Sequence, residues 1–265
     1  MKIVVCIKQV PQSTNVKIDP VTNTLIREGV ESQINPFDLY ALEEAVRVKE
    51  RLTADGEAST VTVVSMGPPQ VDAALREAIT LGADDAILLS DRAFAGSDTW
   101  ATSYAVAAAV RKLQADLVFC GMQAIDGDTA QTGPGITVHL DMALVTYVRK
   151  VREITTKRAV VERLLEEGIE VCEVQLPVLF TVVKEINEPR TPSIRGKMKA
   201  KSAQIPVWTA AAMELDPDRC GLKGSPTQVV KIFSPEHRAG GERWDGEPAE
   251  LATKMLEIIR ERATV

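Results

Sequence analysis

The sequence predicts an α/β fold: a doubly wound, mostly parallel sheet extended by antiparallel strands and followed by a long C-terminal arm. Short apolar runs alternate with amphipathic helical patterns over roughly the first half of the chain. From about Leu144 the apolar runs follow one another through short turns, and after Asn187 the periodicity is lost. Alternating strands and helices build parallel sheets with right-handed crossovers, whereas turn-linked strands pair antiparallel.

The predicted parallel strands are short and continuously apolar, as strands buried on both faces of a sheet are. We place them at Ile3–Ile7, Thr60–Ser65, Ala86–Leu89 and Leu117–Cys120. A hairpin of Val16–Ile18 and Thr24–Ile26 is predicted between the first strand and the first helix.

The helices that alternate with these strands carry their own start signals. Asn35 and Pro36 supply an N-cap and a first-turn proline, and Asp98 is a second N-cap. We predict helices from Pro36 to about Leu52, from Pro69 to about Leu81 and from Thr99 to about Leu113.

The second half of the chain predicts a different organisation. Strands are predicted as antiparallel additions to the sheet at Leu144–Val148, Ala159–Leu165, Glu170–Gln175 and Val178–Val183. Residues 1–186 are therefore predicted to form one α/β domain. Residues 187–265 are rich in proline and glycine, and a structureless segment of this length is uncommon inside a compact domain. We expect them to form an arm on another surface, ending in an amphipathic helix from about Pro248 to Arg262.

Composition narrows the class of protein. The hydrophobic fraction of 45% and the charged fraction of 26% are ordinary for a soluble globular protein. The apolar run at Ile3–Ile7 is too short for a signal peptide or a membrane span, so we expect a cytoplasmic protein. A net charge of −6 argues against a general nucleic-acid binder. Four scattered cysteines without a Cys-x-x-Cys pair, and only two histidines, predict no metal site.

The stretch from Asp116 to Gly135 is the most informative. A buried strand ends at Gly121, a polar loop with two carboxylates follows, and Thr129–Thr132 opens a helix. This order places backbone N–H groups and a positive helix end at the carboxyl edge of the sheet, where a nucleotide phosphate can bind. The loop contains neither a P-loop sequence nor the Gly-x-Gly-x-x-Gly fingerprint.

We assign roles within this loop by charge. Thr129, Ala130, Gln131 and Thr132 are expected to donate hydrogen bonds to phosphate oxygens. Asp126 and Asp128 would repel a phosphate, so we expect them to accept from ribose hydroxyls or from adenine. In the alternative, Asp128 caps the helix and Asp126 closes a turn.

Three further strand ends converge on the same edge of this Rossmann-like sheet. They are Cys6–Lys8, Asn35–Asp38 and Ser65–Gly67. Asn35 could bind adenine or ribose, or simply cap its helix, and Asp38 could be a first-turn carboxylate that complements the helix dipole. Their convergence favours an adenine-nucleotide crevice.

A basic segment follows the predicted sheet. Lys184–Gln204 holds six basic and two acidic residues, a local charge of +4 in a chain of −6. A solvated loop is one interpretation, and a surface for an acidic partner or an anionic cofactor is the other.

These residues together resemble the β subunit of electron-transfer flavoproteins over nearly the whole chain. The resemblance rests on Val4–Pro11, Asn35–Asp38 with Glu43–Ala45, Met66–Pro68, Gly82–Asp84, Gly121–Gly133, Gln175–Pro177 and Ser193–Ala200. Among the branches of the family, Gln123–Gln131, Val145–Val148, Ser193–Ala200 and Gly224–Val229 look like the electron-bifurcating type.

The resemblance implies a heterodimer with a larger α subunit. In the bifurcating branch this chain would bind FAD, and NADH would deliver a hydride to it. One electron would then pass to ferredoxin or flavodoxin, and the other, through the FAD of the α subunit, to an acyl-CoA dehydrogenase-like or quinone-linked acceptor. In the carrier branch this chain would instead hold AMP structurally and do no redox chemistry.

The resemblance also implies site residues. Those that would line the nucleotide are Cys6, Asn35, Pro36, Phe37, Asp38, Ser65, Met66, Gly121, Met122, Gln123, Ala124, Ile125, Asp126, Gly127, Asp128, Thr129, Ala130, Gln131 and Thr132. Those that would contact partners are Arg190, Ile194, Arg195, Lys197 and Met198, with Ile194 as the apolar anchor.

Two residues depart from the pattern of the family. Met122 stands where the bifurcating branch usually has arginine, which counts against an anion contact there. Leu164 replaces an acidic residue of the carrier branch. A rival from another class is a stand-alone adenine-nucleotide sensor or hydrolase, against which the long arm and the lack of an obvious catalytic base both argue.

Overall fold

The computed structural model describes residues 1–12, 32–230 and 240–263. By internal contacts the chain divides into one unit of residues 1–230 and a second of residues 231–265. The strands are β1 (Lys2–Cys6), β2 (Gln9–Pro11), β3 (Ser32–Ile34), β4 (Thr60–Met66), β5 (Asp85–Leu89), β6 (Leu117–Gly121), β7 (Ala143–Ile154), β8 (Arg158–Leu165), β9 (Gly168–Gln175), β10 (Val178–Val182) and β11 (Val207–Trp208). The helices are α1 (Pro36–Ala54), α2 (Asp72–Thr80), α3 (Thr99–Leu113), α4 (Thr132–Leu140), α5 (Ile194–Ser202) and α6 (Pro248–Arg262).

The main sheet confirms the predicted fold class. Its nine strands lie in the order β11-β5-β4-β1-β6-β10-β7-β8-β9. The pairs from β11 to β7 are parallel, and β8 and β9 add antiparallel. From β1 the chain moves outward through β4 and β5 and then returns to the other side of β1 as β6. The order therefore reverses between β1 and β6, which is where open α/β sheets form their ligand crevice.

The core lies on both faces of this sheet. Ile3 and Val5 of β1 pack in one cluster with α1 and α2, while Val4 packs in the other with α3 and α4. Alternate side chains of a strand point to opposite faces, so a strand covered by helices on both sides reads as one apolar run. For this reason the central strands could be predicted from their continuous apolar runs.

Two strands differ from the sequence prediction. The run at 144–148 was predicted as an antiparallel addition, but this part of β7 pairs parallel with β10, and β7 is antiparallel only to β8. The run at 178–183 was predicted as an antiparallel addition, but β10 is parallel to both neighbours and lies between β6 and β7. All five of its residues are buried. Phe180 packs against Phe119 of β6 with ring centroids 5.6 Å apart. A continuously apolar run is typical of such a position, but it does not specify the partner strands.

The segment after residue 187 also differs from its prediction as a structureless arm. Residues 194–202 form α5, which lies so close to α2 that a Cβ on Gly196 would overlap the carbonyl of Thr80. Residues 207–208 form β11, which adds to the edge of the sheet beside β5. Both belong to the unit of residues 1–230. A lysine-rich helix and a two-residue strand have no hydrophobic period from which they could be predicted.

Two other predictions concern the hairpin after β1 and the C-terminal helix. The hairpin of Val16–Ile18 and Thr24–Ile26 lies outside the described residues. The C-terminal helix is confirmed as α6, and within its own unit the side chains of Met255 and Ile259 are exposed. Its packing on an α subunit stays a prediction, and so does the domain boundary at residue 186.

Within the described ranges, none of the helices has the length and hydropathy that crossing a bilayer requires.

Phe180→Ala should lower the free energy of unfolding by about 3–5 kcal/mol, because it leaves a cavity at the centre of the sheet. Denaturant titration measures this change. Val138→Ala is the control, since its side chain is 68% exposed and its loss should cost no more than about 0.5 kcal/mol. Equal losses in the two variants would contradict the central position of β10.

Candidate functional site

The candidate site is the crevice at the carboxyl ends of β1 and β6. It is bordered by Ile7–Lys8 after β1, by Asn35–Asp38 at the start of α1, and by the loop of residues 122–131, which we call the β6–α4 loop. The structure brings these three predicted segments together through direct hydrogen bonds.

Asp38 ties the base of the crevice together. Its carboxylate accepts from the backbone N–H of Lys8 at 2.7 Å and from that of Gly121 at 3.1 Å. It therefore joins the ends of two neighbouring parallel strands to the first turn of α1. Burial raises the pKa of Asp38 to about 7, although the hydrogen bonds from Lys8 and Gly121 act in the opposite direction.

Gly121 has no room for a side chain. A Cβ at this position would overlap Oδ1 of Asp38 and would lie 2.7 Å from the side chain and the carbonyl carbon of Phe37. The close approach of β6 to the start of α1 thus requires glycine.

Asn35 holds the β6–α4 loop rather than its own helix. Its side-chain NH₂ donates to the carbonyl of Gln123 at 2.8 Å, and its side-chain oxygen accepts from the N–H of Ile125 at 3.1 Å. It occupies the N-cap position of α1 but makes no side-chain cap, so the alternative that it caps the helix is wrong. Pro36 has no N–H that would need a cap, and the N–H of Asp38 already bonds to the backbone carbonyl of Asn35. The side chain of Asn35 can therefore reach across to the loop.

Asp126 forms an ion pair with Lys8, whose Nζ lies 2.6 Å from its carboxylate. The Lys8 side chain is 47% exposed, so the pair contributes little to stability. Its significance is positional, because it connects the tip of the β6–α4 loop to the end of β1. Lys8 was predicted only as part of the converging strand end Cys6–Lys8, without a role of its own, although a lysine directly after a buried strand at the switch point could have indicated one.

The β6–α4 loop presents free backbone donors. Asp128 and Ala130 have left-handed φ angles of 55°, and α4 begins only at Thr132. Within the described ranges, the N–H groups of Thr129, Ala130 and Gln131 have no acceptor. A left-handed residue followed by the right-handed Gln131 is the backbone pattern of an anion-binding nest.

Asp128 does not cap α4, so that alternative is wrong as well. The N-cap position belongs to Gln131, which makes no side-chain cap. The left-handed backbone at 128 and 130 displaces the helix start by three residues and takes the Asp128 carboxylate out of capping position.

Thr129 connects the loop to a helix that the sequence did not place at the site. Its hydroxyl lies 3.2 Å from that of Thr99, the first residue of α3. Asp98 caps α3 as predicted, accepting from the N–H of Ala101, and it also accepts from Thr227. Nothing in the sequence around Thr99 indicated this contact.

The predicted contacts on β1 and β4 lie at neighbouring strand ends. Ser65 is buried, and its Oγ has no hydrogen-bond partner in the part of the chain that is described. Met66 follows it at the end of β4. Cys6 pairs in register with Cys120 of β6, and this neighbouring thiol together with burial raises the pKa of Cys120 well above its ordinary value. Cys120 therefore remains a neutral, apolar thiol.

The predicted partner residues lie apart from the crevice, on and before α5. Ile194 and Met198 are 82% and 70% exposed and stand one helical turn apart. Arg195 and Lys197 are exposed beside them. Arg190 is different, because its guanidinium donates to Glu43 at 2.7 Å and to Glu50 at 2.7 Å. It anchors the segment to α1.

The anchoring of this segment lowers the pKa of one carboxylate of α1 and supplies a hydrogen bond to another. Burial alone would raise the pKa of Glu43, but hydrogen bonds from Arg190 and Arg47 lower it below the ordinary value. Asn187 donates to the carbonyl of Tyr40 at 3.0 Å and to Glu44 at 3.2 Å. The segment that leads to α5 is thus fixed along α1 at several points.

Asp38→Asn should remove a specific dependence of stability on pH. With a folded pKa of about 7 and an ordinary value of 3.8, the folded protein binds a proton that the unfolded chain does not. The free energy of unfolding should therefore fall as pH rises from about 4 to about 7, by a few kcal/mol, and then level off. This contribution should be absent in the variant, as denaturant titrations across this pH range would measure.

A surface control, Asp55→Asn, should keep the pH dependence of the wild type. If wild type and Asp38→Asn lost stability equally between pH 4 and 7, Asp38 would not titrate in this range.

Comparison with known proteins agrees with this geometry. The model of the "Electron transfer flavoprotein domain" matches residues 22–213. An "Electron transfer flavoprotein subunit beta" of Thermoanaerobacterium thermosaccharolyticum is 52% identical over 266 residues, covering 100% of both chains. A "Caffeyl-CoA reductase-Etf complex subunit CarD" of Acetobacterium woodii is 49% identical, with 99% of each chain covered. A "Protein FixA" of Azotobacter vinelandii is 48% identical, covering 97% of this chain and 93% of its own.

The family match spans most of the chain, and the relatives are similar over nearly their full lengths. The fold, the crevice and these similarities lead to one conclusion: the chain belongs to the electron transfer flavoprotein family as a β subunit, an electron-transfer component that works with an α subunit.

Proposed function

We propose that the crevice binds the adenylate part of FAD, and that the chain serves in NADH-dependent electron bifurcation. The observation that carries the first part is the set of free N–H groups at Thr129, Ala130 and Gln131. They lie in a left-handed loop at the switch point of the sheet, where a phosphate would find backbone donors and a positive helix end.

The residues present fit a nucleotide. The buried Oγ of Ser65 lacks a partner among the described residues and can hydrogen-bond a ligand. Asn35 and Asp38 position the loop that carries the free amides. Asp128, which makes no cap, can accept from a ribose hydroxyl. Bound FAD would supply the hydride and single-electron chemistry, while the protein supplies position and polarity.

Bifurcation is supported by sequence similarity. Gln123–Gln131 and Val145–Val148 resemble the bifurcating branch, and one relative is by name a subunit of a caffeyl-CoA reductase complex. We propose NADH as the hydride donor, and ferredoxin or flavodoxin as one acceptor. The second acceptor, reached through the FAD of the α subunit, would be an acyl-CoA dehydrogenase-like or quinone-linked enzyme.

One observation favours the second candidate function, a non-bifurcating carrier that holds AMP. Met122 occupies the position at which the bifurcating branch usually has arginine, so no side-chain cation is available there for the further phosphate of FAD. The backbone donors of the β6–α4 loop would suit AMP equally well.

Extraction of nucleotides from the purified heterodimer tests the proposal. Two FAD and no AMP per heterodimer are expected, whereas one FAD with one AMP would support the carrier function instead. Asn35→Ala should release the nucleotide of this chain alone, because the β6–α4 loop loses its two side-chain hydrogen bonds. Asn187→Ala is a matched control that should retain both nucleotides. Retention of both by Asn35→Ala would count against the crevice.

We also propose α5 as the docking element for the acceptor enzyme, with Ile194 and Met198 as apolar anchors and Arg195 and Lys197 as flanking cations. Two exposed apolar side chains on a helix that is already fixed to the rest of the protein are well suited as a binding hot spot. Such a helix loses little backbone conformational entropy when a partner binds.

Ile194→Ala should slow electron transfer to the acceptor enzyme about tenfold or more, the range for loss of a central anchor, while flavin content stays unchanged. Stopped-flow reduction of the acceptor measures the rate. Val230→Ala, also highly exposed at 91%, is the matched control and should transfer electrons at the wild-type rate. Flavin loss in Ile194→Ala would exclude a pure docking role.

A further inference from the structure

A second polar cavity lies between α3, α4 and the segment around Arg219. Its volume is about 120 Å³, and it shares no residue with the crevice. α4 packs closely on α3 here, since a Cβ on Gly135 would overlap the hydroxyl of Ser103. The residues that line the cavity are Tyr104, Ala107, Ala108, Arg111, His139 and Arg219.

Two guanidinium groups meet at this cavity without a carboxylate. Arg111 donates to the backbone carbonyl of His139 at 2.7 Å. Arg219 stacks on the ring of Tyr104, with its central carbon 3.9 Å from the ring centroid. Over the described ranges, neither arginine forms a salt bridge, although most of their N–H groups remain available. Two unneutralised cations at one concave site favour an anion.

His139 adds a third donor. Nη2 of Arg219 lies 3.3 Å from its Nδ1, and because a guanidinium can only donate, Nδ1 must accept. The proton of the neutral ring is then on Nε2, which is buried and has no hydrogen-bond partner in the described part of the chain. Stacking on Trp100 at 4.3 Å and an edge contact with Tyr104 at 5.6 Å fix the orientation of the ring.

The electrostatics of the ring agree with this arrangement. Burial lowers the pKa of His139, and the positive charge of Arg219 and, to a smaller extent, that of Arg111 lower it further, while a hydrogen bond to the backbone of Trp100 acts in the opposite direction. The imidazole is therefore neutral at pH 7, and its N–H is a donor.

The polar groups at this cavity are thus mainly donors, and a ligand that complements them must supply acceptors. The volume corresponds to a few water molecules at about 30 Å³ each, which suits a small tetrahedral oxyanion and excludes a nucleotide. We propose that Arg111, Arg219 and His139 form a second anion site, which binds an oxyanion of the size of inorganic phosphate.

Phosphate titration of the heterodimer, followed by NMR of the histidine rings, tests the site. The resonance of His139 is the one missing from the spectrum of His139→Gln. We expect it to shift saturably with inorganic phosphate, and Arg219→Gln or Arg111→Gln to weaken the apparent affinity about tenfold or more. Arg92→Gln, the loss of an exposed arginine elsewhere, should leave the titration unchanged.

A His139 resonance that does not respond to phosphate in the folded wild-type heterodimer would overturn the proposal. So would an unchanged titration in Arg219→Gln. If that variant does not fold, Arg219→Lys replaces it, since it retains the charge but loses the planar donor fork and should still weaken binding.

Discussion

The geometry of the crevice depends on one buried carboxylate. Asp38 accepts from the N–H groups of Lys8 and Gly121, and so joins the ends of β1 and β6 at the point where the strand order reverses. Strand ends at a switch point diverge into loops that run to opposite faces of the sheet, which leaves their last amides unpaired. Asp38 satisfies two of these amides with one side chain. The requirement for glycine at 121 follows from the same contact.

The same helix serves two regions of the protein. The first turn of α1 carries Asp38, preceded by Asn35, which holds the β6–α4 loop. Further along, Glu43 and Glu50 bind Arg190 and so fix the approach to α5. The helix has 19 residues and is about 28 Å long. The candidate nucleotide crevice and the candidate docking helix are therefore held by a single rigid element.

The sequence was sufficient for elements whose signal is local. The buried strands, the proline at the start of α1 and the cap at Asp98 were all predicted from runs and start signals. Elements defined by distant contacts were not. The parallel pairing of β10 depends on β6 and β7, and α5 depends on a close approach to α2 at Gly196. At the candidate site, residue types indicated which segments lie together at the sheet edge. They did not indicate the roles of Asn35 and Lys8, whose partners are about 90 and 118 residues away.

The position of β10 has a consequence for how the chain reaches its fold. β6 has β1 on one side, but its other neighbour is made only after β7, β8 and β9 have been completed. Until residues 178–182 are in place, β6 and β7 both present unsatisfied strand edges, and edges of this kind invite pairing with other chains. A parallel insertion between distant strands is also intrinsically slow. Of the strands β1 to β10, the one synthesised last thus lies at the centre of the sheet, and a nascent chain that stops short of residue 178 exposes two strand edges that can pair with other chains.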